Sequence, residues 1–262
     1  MNQTLPRVIP HHGPVHGITV LENTIYVVSG HLSTGVVSYC SKEFKPLGNI
    51  AIPGSKSLWS IASCEQKNVL YISDDGLKVC HQYDVGTKTP RKWPIKDNQR
   101  CQGLSITKQG NVLVTVPKEI QEYTANGDWI RSIKLDSSID RSQHSIELSD
   151  GVFVVSHVQN LSVHIVDARG QIMSSAQTVF PGSENELMKP RHMVVCKDGS
   201  ILVANEYNKI ELFKLRGTDF VTHSIVEIFN IKLDRPRALY LDEVNDRLFI
   251  GDNNRVIVMK YE

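Results

Sequence analysis

Six times along the chain, at a spacing of roughly 40 to 48 residues, a short apolar strand is followed by a turn and a second apolar strand. The first strands start at Gly17, Ser60, Gly103, Ser145, His192 and Ala238, and their partners at Ile25, Leu70, Val112, Val152, Ile201 and Leu248. A unit this short cannot bury its own apolar surface, so the repeat requires neighbours stacked into a solenoid or a ring. Turns such as Asp150-Gly151 and Asp198-Gly199 supply the positive-φ residues that join antiparallel strands. Third strands are expected at 35–39, 78–83, 162–166 and 255–259, and fourth strands at 47–52, 91–95 and 129–133. Four short antiparallel strands repeated radially, with no sustained helical period, predict an all-β, six-bladed β-propeller.

The last unit stops at Glu262 after its third strand, whereas residues 2–9 precede the first unit and have no place in it. This N-terminal segment is therefore expected to pair as the outer strand of the last blade, closing the ring and covering an open sheet edge. At 262 residues the chain fits one closed β domain spanning 1–262, with 40% hydrophobic and 22% charged residues, an ordinary soluble composition. A net charge of +1 gives no bulk attraction for nucleic acid. Five cysteines without a Cys-x-x-Cys pair indicate neither a disulfide framework nor a zinc ribbon, which fits a reducing compartment. With no apolar run of signal-peptide or membrane-span length, a cytoplasmic protein without a membrane partner is expected.

Lys189-Pro190-Arg191-His192 followed by Asn205-Glu206-Tyr207-Asn208-Lys209-Ile210 resembles an NHL repeat, as does Arg235-Pro236-Arg237-Ala238 followed by Gly251-Asp252-Asn253-Asn254-Arg255-Val256. The first four units share only the strand pattern. The resemblance implies the six-bladed plan used by the RNA- or protein-binding domains of TRIM-NHL proteins. More distantly, it implies the plan of peptidylglycine amidating lyases and gluconolactonase-like metal enzymes. His12 stands where the gluconolactonase-like propellers place a carboxylate ligand, which leaves their metal site unmatched at that position. Fold alone does not choose among these functions.

In a propeller, the start of each innermost strand and the end of each second strand share one face, around the central channel. Superposing the units gives a first ring of His16, Trp59, Gln102, His144, Arg191 and Arg237. A second ring is Gly30, Asp74, Val116, His157, Asn205 and Asp252, with His31, Asp75 and Glu206 next in sequence. At the position expected to be small, His192 replaces the Gly, Ser or Ala of the other units. His16, His144, His157 and His192 are therefore candidate acid/base groups, and His16, His144 and His192 candidate ligands of a divalent metal ion.

Arg191 and Arg237 beside Trp59 suit an anion with a planar body, and Gln102, Asp74, Glu206 and Asp252 would complete the substrate pocket. An alternative role for Asp74, Asn205 and Asp252 is to hold their loops through backbone hydrogen bonds. The glycine-rich phosphate loop, His-Glu-x-x-His and Gly-x-Ser-x-Gly patterns are absent. The expected function is then a hydrolase or lyase acting on an anionic small ligand at the channel mouth. The alternative is a non-catalytic module that binds single-stranded RNA or a protein, with Trp59 and Tyr207 stacking and Arg191, Arg235, Arg237 and Lys189 on phosphates.

Overall fold

The computed structural model describes residues 5–29, 35–178, 189–226, 228 and 231–261. Gly30 and His31 of the second ring, and residues 2–4 of the expected closing strand, lie outside them. Six four-stranded antiparallel sheets form the blades of a β-propeller, five of them running in chain order from an innermost to an outermost strand. Among the described residues, helix is confined to two short 3-10 turns, Glu65–Lys67 and Lys96–Asn98. No helix among them is long and apolar enough to cross a membrane.

The innermost strands, of blades 1 to 6 in order, are Val15–Leu21, Leu58–Cys64, Gly103–Ile106, Ser142–Ser149, Pro190–Val195 and Ala238–Asp242. Arg7–Pro10 pairs with Arg255–Lys260, so the last blade is built from both ends of the described chain. Only Ile9 of this closing strand is buried, as befits an outer edge where Pro10 needs no ladder partner for its missing N–H.

The apolar runs of the second strands follow from where the cores lie. Six clusters of buried side chains form, one between each pair of neighbouring blades. Side chains alternate across a strand, so Ile25 and Val27 enter the core shared with blade 6, while Tyr26 and Val28 enter the core shared with blade 2. Leu70 and Ile72 face blade 1 in the same way, and Val69 and Tyr71 face blade 3. A strand sandwiched between two cores has no polar face, which is why these stretches read as continuous apolar runs rather than alternating ones.

The sequence reading misses four strands. Glu119–Tyr123 is buried throughout despite its polar sequence, because its side chains satisfy one another and their neighbours. Glu122 accepts from Asn111 Nδ2 and Arg131 Nε, each at 2.7 Å, and Tyr123 Oη donates to Gln121 Oε1 at 2.5 Å. Lys209–Arg216, Ile172–Gln177 and Asp219–Val226 are the other three, the last two being outermost strands that face solvent and carry little apolar signal.

Candidate functional site at the channel mouth

Backbone geometry places the mouth side chains. In blade 1 the ladder runs Val15↔Ser29 and then Gly17↔Val28, leaving His16 as an extra residue; in blade 4 it steps from Ser142↔His157 to His144↔Ser156, leaving Gln143. Blades 2 and 5 slip by one residue across Trp59-Ser60 and Arg191-His192. In blades 3 and 6 the N–H groups of Gln102 and Arg237 donate to Thr115 and Gly251, which already lie opposite Gly103 and Ala238. A β-bulge frees its extra residue from the ladder and re-aims the side chain. Thus each blade offers one bulged residue to the mouth.

This register corrects the sequence alignment by one residue in blade 4. Gln143 belongs to the mouth ring, and His144 occupies the small position beside Gly17, Ser60, Gly103, His192 and Ala238. The position is small because neighbouring blades crowd it: a Cβ on Gly103 would lie 2.6 Å from the Gln143 carbonyl oxygen and 2.9 Å from His144 Cδ2. On Gly17 it would lie 2.8 Å from Ile61 N. Glycine in blade 3 therefore makes room for the imidazole of blade 4.

His144 and His192 stack on each other, with ring centroids 3.9 Å apart and planes inclined by 26°. His144 is nearly fully buried and both its nitrogens meet main chain: Nε2 reaches the Leu104 carbonyl at 3.2 Å, and Met193 N–H donates to Nδ1 at 3.3 Å. The imidazole is thus neutral, with its proton on Nε2, and tethers blades 3, 4 and 5. Burial lowers its pKa to about 4, against a small opposing effect of the Leu104 hydrogen bond. His192 is also driven well below the ordinary histidine value, by burial and then by His144, and both its nitrogens are buried without a hydrogen-bond partner.

Above this pair, the mouth residues form a continuous chain of contacts. His16 packs edge-to-face against Trp59 at 4.2 Å. Arg237 Nη1 donates to His16 Nε2 at 3.3 Å and Arg237 Nε to Glu206 Oε1 at 3.0 Å. Arg191 Nη2 donates to Glu206 Oε2 at 2.8 Å and Nη1 to Gln143 Oε1 at 2.8 Å. Burial pushes the Glu206 carboxyl up, but the Arg191 hydrogen bond and the charges of Arg191, Arg237 and Lys189 outweigh it and hold the pKa below the ordinary value. Two guanidiniums against one carboxylate leave the ring electropositive. A guanidinium has no acceptor, so His16 Nε2 must receive the Arg237 hydrogen bond through its lone pair. The cavity enclosed by His16, Trp59, Gln143, Arg191 and Arg237 with Ser60, Gln102, Gly103 and the histidine pair is about 20 Å³, room for one water.

The structure thus brings His16, Trp59, Gln102, Arg191, Arg237 and Glu206 together, with His144 and His192 as their floor. The other predicted residues turn elsewhere. His157 is fully buried, and its Nε2 meets Asp140 Oδ1 at 2.9 Å, with the His164 ring 5.7 Å away. Asp74 accepts from the N–H groups of Lys56, Ser57 and Leu77 and pairs with His81 Nε2 at 3.2 Å. Burial raises its pKa, yet these hydrogen bonds bring it below the ordinary value. Asp252 holds Asp234 N–H and Arg255 Nε. Asp74 and Asp252 are therefore loop staples rather than substrate contacts. Gln143 was missed because the bulge that presents it leaves no mark on the apolar pattern.

A divalent metal does not fit this donor set. Nearly parallel stacked rings cannot aim two lone pairs at one ion, both His144 nitrogens are committed to main chain, and the His16 lone pair faces a guanidinium. Among the described residues, no group of three His, Cys, Asp or Glu side chains is arranged to hold a metal.

No family model and no curated protein matches the chain. Solved structures do. A streptogramin B lyase is 15% identical over 98% of this chain and 87% of its own, with a TM-score of 0.70. The likeness is one of fold. A virginiamycin B lyase from Staphylococcus aureus is 13% identical over 98% of this chain and 88% of its own, at a TM-score of 0.68. The WD40 propeller domain of Doa1 is 13% identical over 100% of this chain and 97% of its own, at 0.70. These structures support the six-bladed propeller, and no match identifies the NHL family.

Proposed function

We propose that the mouth binds the anionic or carbonyl oxygen of a small ligand and that His16 then acts on it as a general base, in an elimination of the lyase type. The observation that carries this reading is the 3.3 Å contact between Arg237 Nη1 and His16 Nε2. An oxygen that takes over the Arg237 N–H releases the His16 lone pair beside the ligand, so binding and activation are one event. The base accepts a proton from the carbon next to the bound carbonyl, the C–H electron pair becomes the new double bond, and the leaving group departs with its electrons. Glu206 and Arg191 act as positioning residues: the shared carboxylate fixes the plane of Arg237, and Gln143 fixes Arg191.

Elimination is favoured over nucleophilic hydrolysis because, among the described residues of the lining, the one hydroxyl is Ser60 Oγ, which accepts Leu104 N–H and has no base paired to it. Two lyases among the similar folds agree with this choice. A cavity of about 20 Å³ admits no substrate, so the ligand rests on the ring of mouth residues rather than inside it. The test is a panel of β-substituted carboxylic esters, followed by the ultraviolet absorbance of the conjugated product. Turnover by the wild type, lost by at least about a hundredfold in His16→Ala and insensitive to chelator, supports the reading. Turnover that survives His16→Ala sinks it. Salt-sensitive retention of single-stranded RNA without any turnover would instead favour the binding-module alternative.

A further inference from the structure

Beyond the His144–His192 pair, the channel widens into a second chamber of about 390 Å³, lined by all six innermost strands. That volume lies within the range of small-molecule pockets, roughly 300–1,000 Å³. Its half-buried apolar lining is Ile106, Val194, Val195 and Leu241, interspersed with Ser63 and Ser105, while Ile61, Leu104, Ile146 and Met193 are sealed in the cores between blades behind it. Wall hydroxyls are already used, as Ser105 Oγ donates to the Ser145 carbonyl and Tyr240 Oη to that of Val20. Its charged lining residues are Glu65, Glu147 and Glu243, with no lysine or arginine among them. Glu65 and Glu243 are exposed and Glu147 half-buried, so the carboxylates mark the open rim.

Two lysines stand beside this rim, and the main-chain N–H of Lys108 donates to Glu147 Oε2 at 2.9 Å, so the carboxylates exceed the ammoniums by three to two. Lys108 Nζ donates to the Leu148 carbonyl at 3.3 Å, and Lys197 Nζ to the Glu243 carbonyl at 2.6 Å and towards Asp246 at 3.6 Å. Besides burial, the field of Glu65, Asp242 and Glu243 raises the Tyr240 phenol pKa, so negative potential reaches into the wall. The closed end is His192, whose two nitrogens have no partner. The channel therefore has an electropositive mouth at one end and an electronegative chamber at the other.

We propose that this chamber binds a small organic cation, a protonated or quaternary amine whose apolar body packs against Ile106, Val194 and the Tyr240 ring while its charge lies at the Glu65–Glu147–Glu243 rim. The three carboxylates come from three different blades and converge on no common point suited to a hard ion, in keeping with the absence of a metal-holding group among the described residues. A dispersed negative rim over a largely apolar wall matches a soft cation, for which the Tyr240 face adds a cation–π contact.

The test uses phenethylammonium and its uncharged isostere 2-phenylethanol, titrated calorimetrically into the whole chain at low salt. The ammonium is expected to bind at least about tenfold more tightly than the alcohol, as three rim charges at about two- to fivefold each allow. Glu65→Gln with Glu243→Gln should weaken the ammonium about five- to tenfold and leave the alcohol unchanged. Both positions are exposed, so the pair tests charge without touching the core. Val195→Phe, which fills the chamber, should abolish binding of both ligands. Equal affinity for ammonium and alcohol, no detectable binding of the ammonium, or indifference to the Glu65/Glu243 pair would each overturn the proposal. If Val195→Phe does not fold, the charge pair alone decides.

Discussion

Acid should unfold this protein well above the pH at which its carboxylates titrate, because buried histidines are held neutral by the fold: His81 and His192 have lowered pKa values, and three others set the size of the effect. His11, His144 and His164 are each at least nine-tenths buried, and each has its pKa lowered from 6.5 to about 4. Burial is the main cause in all three. His12 adds to it at His11 and His157 at His164, while the Leu104 hydrogen bond opposes it at His144. A histidine depressed on folding costs nothing above the unfolded pKa. Below pH 6.5 the unfolded chain takes up the proton first, and stability falls until the folded pKa is reached. Each of the three then forfeits about 3 kcal/mol by pH 4, and together about 10 kcal/mol, comparable with the whole stability of a typical domain, about 5–15 kcal/mol. Urea titrations monitored by tryptophan fluorescence at intervals from pH 7.5 to 4.5 should show this loss as a slope reaching at least about 4 kcal/mol per pH unit below pH 6. His144→Gln should flatten the slope by about 1.4 kcal/mol per pH unit. Stability that stays level down to pH 4.5, or an unchanged slope in His144→Gln, would refute the reasoning.

Other consequences are equally direct. Gly103→Ala places a Cβ 2.6 Å from the Gln143 carbonyl oxygen, a main-chain atom that cannot rotate away, so a loss of about 1–3 kcal/mol is expected in denaturant titration. A silent Gly103→Ala would show that the blades are not in contact there. Glu206→Gln leaves Arg191 and Arg237 side by side without their shared carboxylate, at side-chain exposures of 21% and 19%; it should lower stability by about 1–2 kcal/mol and make the loss smaller in high salt. Deleting residues 1–10 removes the Arg7–Pro10 strand and opens the last blade, and should broaden thermal unfolding and promote self-association through the bared edge of Arg255–Lys260. Size-exclusion chromatography showing elution unchanged from the full chain would count against the closure.

The propeller was legible in the sequence because both faces of each second strand are buried, as Ile25 to Val28 show, and because the turns recur between them. The ring closure was legible too, from a surplus segment at one end and a missing strand at the other. Legibility failed where polar side chains satisfy one another inside a blade, as in Glu119–Tyr123, and where an outermost strand has nothing to bury, as in Ile172–Gln177. At the mouth, superposition found five of the six bulged residues but took His144 for Gln143, since the period of a strand reveals nothing about one extra residue at a bulge. The Arg191–Glu206–Arg237 network joins residues from an innermost strand, a loop and the neighbouring blade, so no spacing announces it. Asp74 and Asp252 illustrate the reverse case, in which residues placed near a channel serve their own loops.

The contact between Arg237 and His16 is the point on which the mouth reading turns, and imidazole nitrogen resonances report it directly. In ¹⁵N-histidine-labelled protein, His16 Nε2 is predicted to be an unprotonated acceptor in the free state. It should shift on titration with a carboxylate such as phenylacetate, as the ligand draws the Arg237 N–H away, and this response should vanish in Arg237→Ala. A protonated Nε2 in the free protein, or a His16 signal that ignores the carboxylate, would contradict the account.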